Sequence, residues 1–192
     1  MNKRKKPSQP RSIKTVQNIL DTSRNILKNE GPLKFSTNLI AKKSGISVGS
    51  IYQYFQSKEK ILEVLIESEL QASLSQFDQK IGQLFDSSIE EKLSGVVSNI
   101  SKLINDNDYL LQASKLFDLT ERFNLDQFFE LEIFTRSKAL FHDHKMDISN
   151  KEIDQFLILI KQVFSPFSIN PNNRDMNILS TVAAGMFQSQ NP

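Results

Sequence analysis

Residues 34–60 read KFSTNLIAKKSGISVGSIYQYFQSKEK. Two short helical patterns flank a single glycine, Gly45, and a long apolar-periodic segment opens at Ile61. Thr37 stands where a hydroxyl can cap the first short helix, which is expected to run to Ser44 and to bury Leu39, Ile40 and Ala41. Ser47 is placed to cap the second, which packs Ile51 and Phe55 inward. Ser57 is placed to cap the next segment, which buries Ile61, Leu62, Leu65 and Ile66 and is expected to reach about residue 80. Two short helices joined by a tight glycine turn are the pattern of a helix-turn-helix, whose second helix enters the major groove of DNA.

The side chains of that second helix suit the task. Ser50 and Gln53 lie three residues apart on one face. Gln can bond adenine N6 and N7 in a bidentate way, and Ser accommodates several bases. Val48 can meet a thymine methyl. The hydroxyls of Tyr52 and Tyr54 can donate to phosphates, and Tyr52 can also serve as a half-buried core ring. Gly49 costs a helix roughly 1 kcal/mol relative to Ala. Two reasons would justify it: close approach to DNA, or tight packing on another helix. Thr37 sits at a helix start, where N–H groups favour phosphate. Lys58 stands in the first turn of the next helix, against the helix dipole, which suggests an anionic partner.

Upstream, Ser12 can cap a first helix with a stripe of Ile13, Val16, Leu20, Ser23 and Leu27, widened by Ile19 and Ile26. Gly31 suits the left-handed position beyond its end, and Pro32 stops continuation. Residues 1–11 are basic and interrupted by Pro7 and Pro10, so they are expected to form a flexible arm, either in the minor groove or in the counterion cloud.

The overall net charge of +2 conceals an asymmetry. Residues 1–60 hold 13 Lys or Arg against 3 Asp or Glu, a net of +10; residues 61–192 hold 11 against 19, a net of −8. A basic third joined to an acidic remainder suggests that the first part seeks a polyanion.

Beyond residue 66 the period stays helical, with candidates near 88–105, 108–117, 120–143, 150–168 and 173–188. Asn105-Asp106-Asn107-Asp108, Asp118, Ser149-Asn150 and Pro166 to Asn173 are read as separators. The expected fold is all-α, with about nine helices: an N-terminal three-helix helix-turn-helix domain and a C-terminal helical-bundle effector and dimerisation domain. The domain limits are read as an arm over 1–11, a DNA-binding domain over 12–57, and an effector and dimerisation domain over 58–192, with 58–80 as connecting helix. Phe is abundant at 14. Phe117, Phe128 and Phe134 are weak candidates for an apolar effector pocket, although aromatic residues at helical spacing are usually core.

At residues 31–59 the chain resembles the tetracycline-repressor (TetR/AcrR) family of bacterial transcriptional regulators. Gly31, Thr37, Ile40-Ala41, Gly45, Ser47, Gly49-Ser50, Tyr52, Tyr54-Phe55 and Lys58-Glu59 carry the resemblance, which covers about residues 12–66. It implies that Thr37, Tyr52, Tyr54 and Lys58 hold phosphates, while Val48, Gly49, Ser50 and Gln53 approach bases. It implies a homodimer through the helices near 150–168 and 173–188, a near-palindromic operator in double-stranded DNA, repression as the default, and release by a small effector, expected to be apolar or aromatic. The alternative is control by a protein partner with no small ligand.

Other classes find little support. There is no Cys, hence no disulfide framework and no thiolate chemistry. No apolar run reaches the roughly 20 residues of a membrane helix, and no apolar stretch follows the basic N-terminus as in a signal peptide. A cytoplasmic protein without membrane partners is therefore expected. His142-Asp143-His144 is a poor metal motif, because residues two apart on a helix do not face each other. No nucleophile elbow, phosphate loop or paired catalytic carboxylates occur in usable context, so neither a cofactor nor an enzyme activity is expected.

Overall fold

The structure is a computed structural model that describes residues 10–120, 122–123, 129–141 and 149–164. Among these residues there are seven α-helices and no strand. They are α1 (Pro10–Glu30), α2 (Thr37–Ser44), α3 (Val48–Tyr54), α4 (Lys58–Gly82), α5 (Ile89–Leu116), α6 (Thr135–Leu140) and α7 (Asn150–Phe164). A 3-10 turn, Pro32–Lys34, precedes α2, and a π-helical turn, Phe129–Phe134, runs into α6. The all-α expectation holds, but seven helices stand where about nine were expected. The segment near 173–188 and Phe128 lie outside the described residues.

One of the two helices by which the numbers differ has a definite cause. The Asn105–Asp108 run does not separate two helices; α5 passes straight through it. The polar side chains that favour breaking a helix are satisfied within helical geometry instead. The buried Asn107 amide donates to the Leu103 carbonyl at 2.8 Å and to the Ser73 hydroxyl of α4 at 2.9 Å. Asp106 pairs with Lys102, and Asp108 accepts from Gln112, each one helical turn away. Such local bonds compete with the helix only when they replace its backbone partners, and here they do not. Of the expected helix over 120–143, the described residues show turns at 120, 122–123 and 141, the π-helical turn and the six residues of α6.

Asp118 does end α5, as its turn chemistry suggests. Its φ of 54° is left-handed. The N–H of Leu119 returns to the Ser114 carbonyl at 2.8 Å and that of Asp118 to Lys115 at 3.4 Å, while Leu119 is buried. These two bonds make a Schellman end with Asp in the place usually given to Gly.

The chain divides into two compact units at Leu70/Gln71, Asn107/Asp108 and Glu121/Arg122. In the first, α1 packs on α2 and on the 3-10 turn, and α2 packs on α3. Ile19, Ile26 and Leu27 of α1, Ile40, Ile51 and Phe55, and Ile61, Leu62 and Leu65 of α4 are all buried. Ile13, expected on the inward stripe of α1, is instead 53% exposed. The helix starts at Pro10, before Ser12, and proline at a helix start has no N–H to leave unpaired.

The second unit is built around an apolar cluster drawn from several elements. Leu74, Phe77 and Ile81 come from α4, and Val96, Val97 and Ile100 from α5. Ile133 of the π-helical turn, Leu140 at the end of α6, and Ile153, Phe156 and Ile160 of α7 complete it. Phe141 and Phe156 meet edge to face at 6.0 Å. Among the described residues no helix is long and apolar enough to cross a membrane.

Candidate nucleic-acid interface

The geometry of the first unit begins with caps. Ser36, not Thr37, is the N-cap of α2: its hydroxyl accepts from the Leu39 N–H at 3.3 Å. Two adjacent hydroxyl residues made the register ambiguous by one, and the extended backbone of Ser36 decides it. Thr37 becomes the first helical residue. Gly45 ends α2 with φ 71°, a conformation that costs a side-chain-bearing residue energy but not glycine. The Asn18 amide of α1 then donates to the Ser44 carbonyl at 3.1 Å, fixing the end of α2 onto α1. Ser47 caps α3, accepting from the Ser50 N–H at 3.1 Å, and Ser57 caps α4, accepting from the Lys60 N–H at 3.3 Å. Each cap stabilises a helix start by about 1 kcal/mol, so the short α2 and α3 are held at both ends rather than by length.

With Ile51 and Phe55 inward, α3 turns Gly49, Tyr52 and Gln53 outward; all three are exposed, and Val48, Ser50 and Tyr54 are half-buried. The fold decides between the two reasons for Gly49. A Cβ built there would meet no atom within 4 Å. Packing within the chain therefore does not require a glycine at this position. The Ser50 hydroxyl lies 2.8 Å from that of Ser47, which orients it and leaves it further hydrogen-bonding capacity.

Thr37 and Tyr52 come together although 15 residues separate them. Their hydroxyls lie 3.4 Å apart, either able to donate, at the junction of α2 and α3. Two hydroxyls so placed beside the start of α2 form a compact donor set for one anionic oxygen. Their meeting was not legible in the spacing; it follows from the crossing of the two helices.

The cations of this unit are not equivalent. Lys43 pairs with Glu30 at 2.7 Å and Lys60 with Glu63 at 2.5 Å, so each is locally neutralised. Lys58 instead has its ammonium 4.7 Å above the ring of Phe117. A cation over a π face gains roughly 0.5–1 kcal/mol at an exposed site. That is about what the helix dipole takes from a lysine in a first turn, so the fold balances the unfavourable placement. Burial pushes the adjacent Glu59 carboxyl up, but the Ser57 hydroxyl, the backbone N–H of Glu59 and the charge of Lys58 favour its ionised form and hold it below the usual carboxylate range.

Phe117 thus lies against Lys58, and it also meets Phe35 edge to face at 5.9 Å. Phe134 packs on the core of the second unit. Among the described residues no cluster of His, Asp or Glu could hold a metal ion; His142 and His144 lie outside them.

Sequence reasoning also missed a polar cluster. Arg24 of α1 bonds Glu69 of α4 at 2.5–2.7 Å and Asp21 at 2.6 Å. The other oxygen of Glu69 accepts from the Tyr109 hydroxyl of α5 at 3.2 Å, and Lys28 lies 4.8 Å above the Tyr109 ring. Burial, reinforced by the charge and hydrogen bond of Glu69, raises the Tyr109 phenol above its ordinary range against the opposing pull of Arg24. The separations of 45 and 40 residues left no local signal to find it.

Two capped short helices, a left-handed glycine between them and an outward polar face on the second define a helix-turn-helix domain. Comparison with known proteins shows what this domain resembles. Residues 19–65 match the family model of bacterial regulatory proteins, tetR family. Over these residues the chain is similar to the tetR family. A stretch of 68 residues is 31% identical to the HTH-type transcriptional regulator SAB2452 of Staphylococcus aureus (strain bovine RF122 / ET3-1), covering 35% of this chain and 37% of that protein. The match thus spans little more than a third of its relative. The fold is similar to that of a candidate TetR-family transcriptional regulator from Mesorhizobium loti MAFF303099, with a TM-score of 0.65 at 16% identity over 94% of this chain and 96% of that one. It is also similar to a transcriptional regulator (TerR/AcrR family) from Aquifex aeolicus VF5, with a TM-score of 0.55 at 21% identity over 91% and 99%. At these identities the likeness is one of fold.

Proposed function

We propose that the protein is a sequence-specific DNA-binding transcriptional regulator, acting as a homodimeric repressor on a near-palindromic operator. Each subunit would set α3 in one of two successive major grooves, about 34–36 Å apart. Val48, Gly49, Ser50 and Gln53 approach base edges; Thr37, Tyr52, Tyr54 and Lys58 hold phosphates, and Ser47 supports the face from the start of α3. The observation that carries this reading is the exposed face of α3, where Gly49 has open space around it and Gln53 stands outward beside the Thr37–Tyr52 hydroxyl pair. A missing side chain that nothing inside the protein demands is accounted for by a surface that must come close from outside.

Dimerisation through α7 and the segment after it is supported by the make-up of α7. Ile153, Phe156, Leu157 and Ile160 are buried within its own unit, yet Ile158 is 54% exposed. A helix apolar on more than one face calls for cover on both. Release by a small apolar or aromatic effector follows from the resemblance and from the aromatic-rich second unit. A coupling of about 1–3 kcal/mol between effector and DNA would suffice to switch occupancy.

The test starts from a duplex selected by the protein from a random pool. Tyr52→Ala and Lys58→Ala should each weaken binding about tenfold or more, since a hydrogen bond to a charged group is worth about 1.5–3 kcal/mol. Wild-type affinity in both sinks the contact assignment. Gln53→Ala should relax base preference at one position more than it lowers affinity; an equal loss on all duplexes would make Gln53 a backbone contact.

A further inference from the structure

We propose that Phe117, at the C-terminal end of α5, is a positioning residue for DNA binding: its ring holds the Lys58 ammonium in place for a phosphate without neutralising it. This rests on the reading of Lys58 as a phosphate contact. The basis is a difference among the lysines of the same unit. Lys43 and Lys60 are pinned by carboxylates, Glu30 and Glu63, which fix the side chain but cancel its charge. Lys58, two residues before Lys60 on the same helix, sits 4.7 Å over a ring. A π face attracts the ammonium but accepts no proton and carries no net charge, so N–H donors remain for a further acceptor. The neighbouring carboxyl of Glu59 is bonded by Ser57 and by its own helix start, and Lys58 acts on it only through its charge.

The ring itself is well fixed. Its backbone N–H bonds the Ala113 carbonyl at 3.0 Å, and the left-handed turn at Asp118 follows, with Leu119 buried. Phe35, 2% exposed and just ahead of α2, meets the ring edge-on. Phe117 therefore touches one residue at the entrance to the helix-turn-helix and one at its exit. A flexible lysine loses much conformational freedom when it grips a phosphate. A ring that has already restricted it reduces that loss.

The test uses the full-length protein and the selected duplex, with affinity measured across a salt series. Removal of one lysine–phosphate pair should lower the slope of log K against log salt by about 0.9. Phe117→Leu should weaken binding about three- to tenfold and flatten the slope in the direction of Lys58→Ala. Phe117→Tyr, which keeps the π face, should restore both. In the Lys58→Ala background, Phe117→Leu should cost nothing more. A Phe117→Leu protein with the wild-type slope, or with an equal loss in both backgrounds, overturns the proposal. Should Phe117→Leu not fold, the wild-type protein still decides. The ε-methylene protons of Lys58 should be shifted upfield by the ring, and random-coil positions for them overturn the proposal. If Lys58→Ala alone leaves affinity and slope unchanged, the phosphate reading falls and the positioning role falls with it.

Discussion

The two units solve different problems with different material. The first holds two helices of eight and seven residues in place by caps, a left-handed glycine and cross-helix polar bonds, and leaves one face of α3 outward. The second relies on apolar stripes of α4, α5 and α7 that converge, with Ile133 and Leu140, into one cluster. Specific residue types at fixed spacing make the first unit recognisable. The second needs only apolar side chains of suitable volume, and many sequences meet that need. The contrast explains why motifs fall in one unit and not in the other, and experiment can test it.

The largest effect is expected in the apolar cluster. Phe156 is fully buried and stacks edge-on with Phe141. Phe156→Ala should destabilise by about 3–5 kcal/mol in chemical denaturation. A loss below about 1 kcal/mol would mean that the second unit does not depend on this packing.

The polar cluster of the first unit should have a smaller effect with a pH signature. Tyr109→Phe removes the hydroxyl bond to Glu69 and should cost about 1–2 kcal/mol at neutral pH. The folded phenol titrates above its ordinary value of 10.0, so the unfolded chain loses this proton first. Stability from this group is complete below about pH 10 and declines as pH rises beyond it. Denaturation measured from about pH 8 to 11 should show a shallower alkaline decline in Tyr109→Phe than in wild type. Equal slopes would remove Tyr109 from the account.

Two glycines carry the contrast at the smallest energies and with opposite signs. At Gly49 a Cβ meets nothing within 4 Å; at Gly95 of α5 it would lie 2.4 Å from Leu84 Cδ1. Gly49→Ala should therefore stabilise the unbound protein by roughly 0.5–1 kcal/mol and weaken operator binding. Gly95→Ala should lose that gain, or reverse it, because Leu84 must move. Leu84→Ala should relieve the clash, so a double-mutant cycle at 84 and 95 should show coupling where one at 49 and 84 shows none. Unchanged operator affinity in Gly49→Ala would remove the close-approach reading.

Much of the first unit was legible because its signals are local. Ser47, Ser57, Gly45 and Asp118 act on backbone groups within a turn of themselves, so type and spacing suffice to read them. The cap expected at Thr37 lies one residue earlier because Ser36 offers the same chemistry there. The Asn105–Asp108 run misled for the complementary reason. Its residues break helices when their side chains take backbone partners, but a hydroxyl on α4 and the side chains of Lys102 and Gln112 one turn away satisfy them here. Phe117 could be recognised as aromatic and apolar, but nothing near it in the chain announces Phe35 or Lys58.

The helix-turn-helix, its outward polar face and the charge division can all be read from the chain alone, since each depends on period, capping and composition. Tertiary packing settles the rest: that α5 is continuous, that Thr37 meets Tyr52, that Arg24, Glu69 and Tyr109 form one cluster, and that Lys58 lies over a ring while Lys60 pairs with a carboxylate. Nearly all of these are contacts between residues far apart in the chain. They depend on how helices cross, and helix crossing is set by the packing of whole faces rather than by any short stretch of sequence.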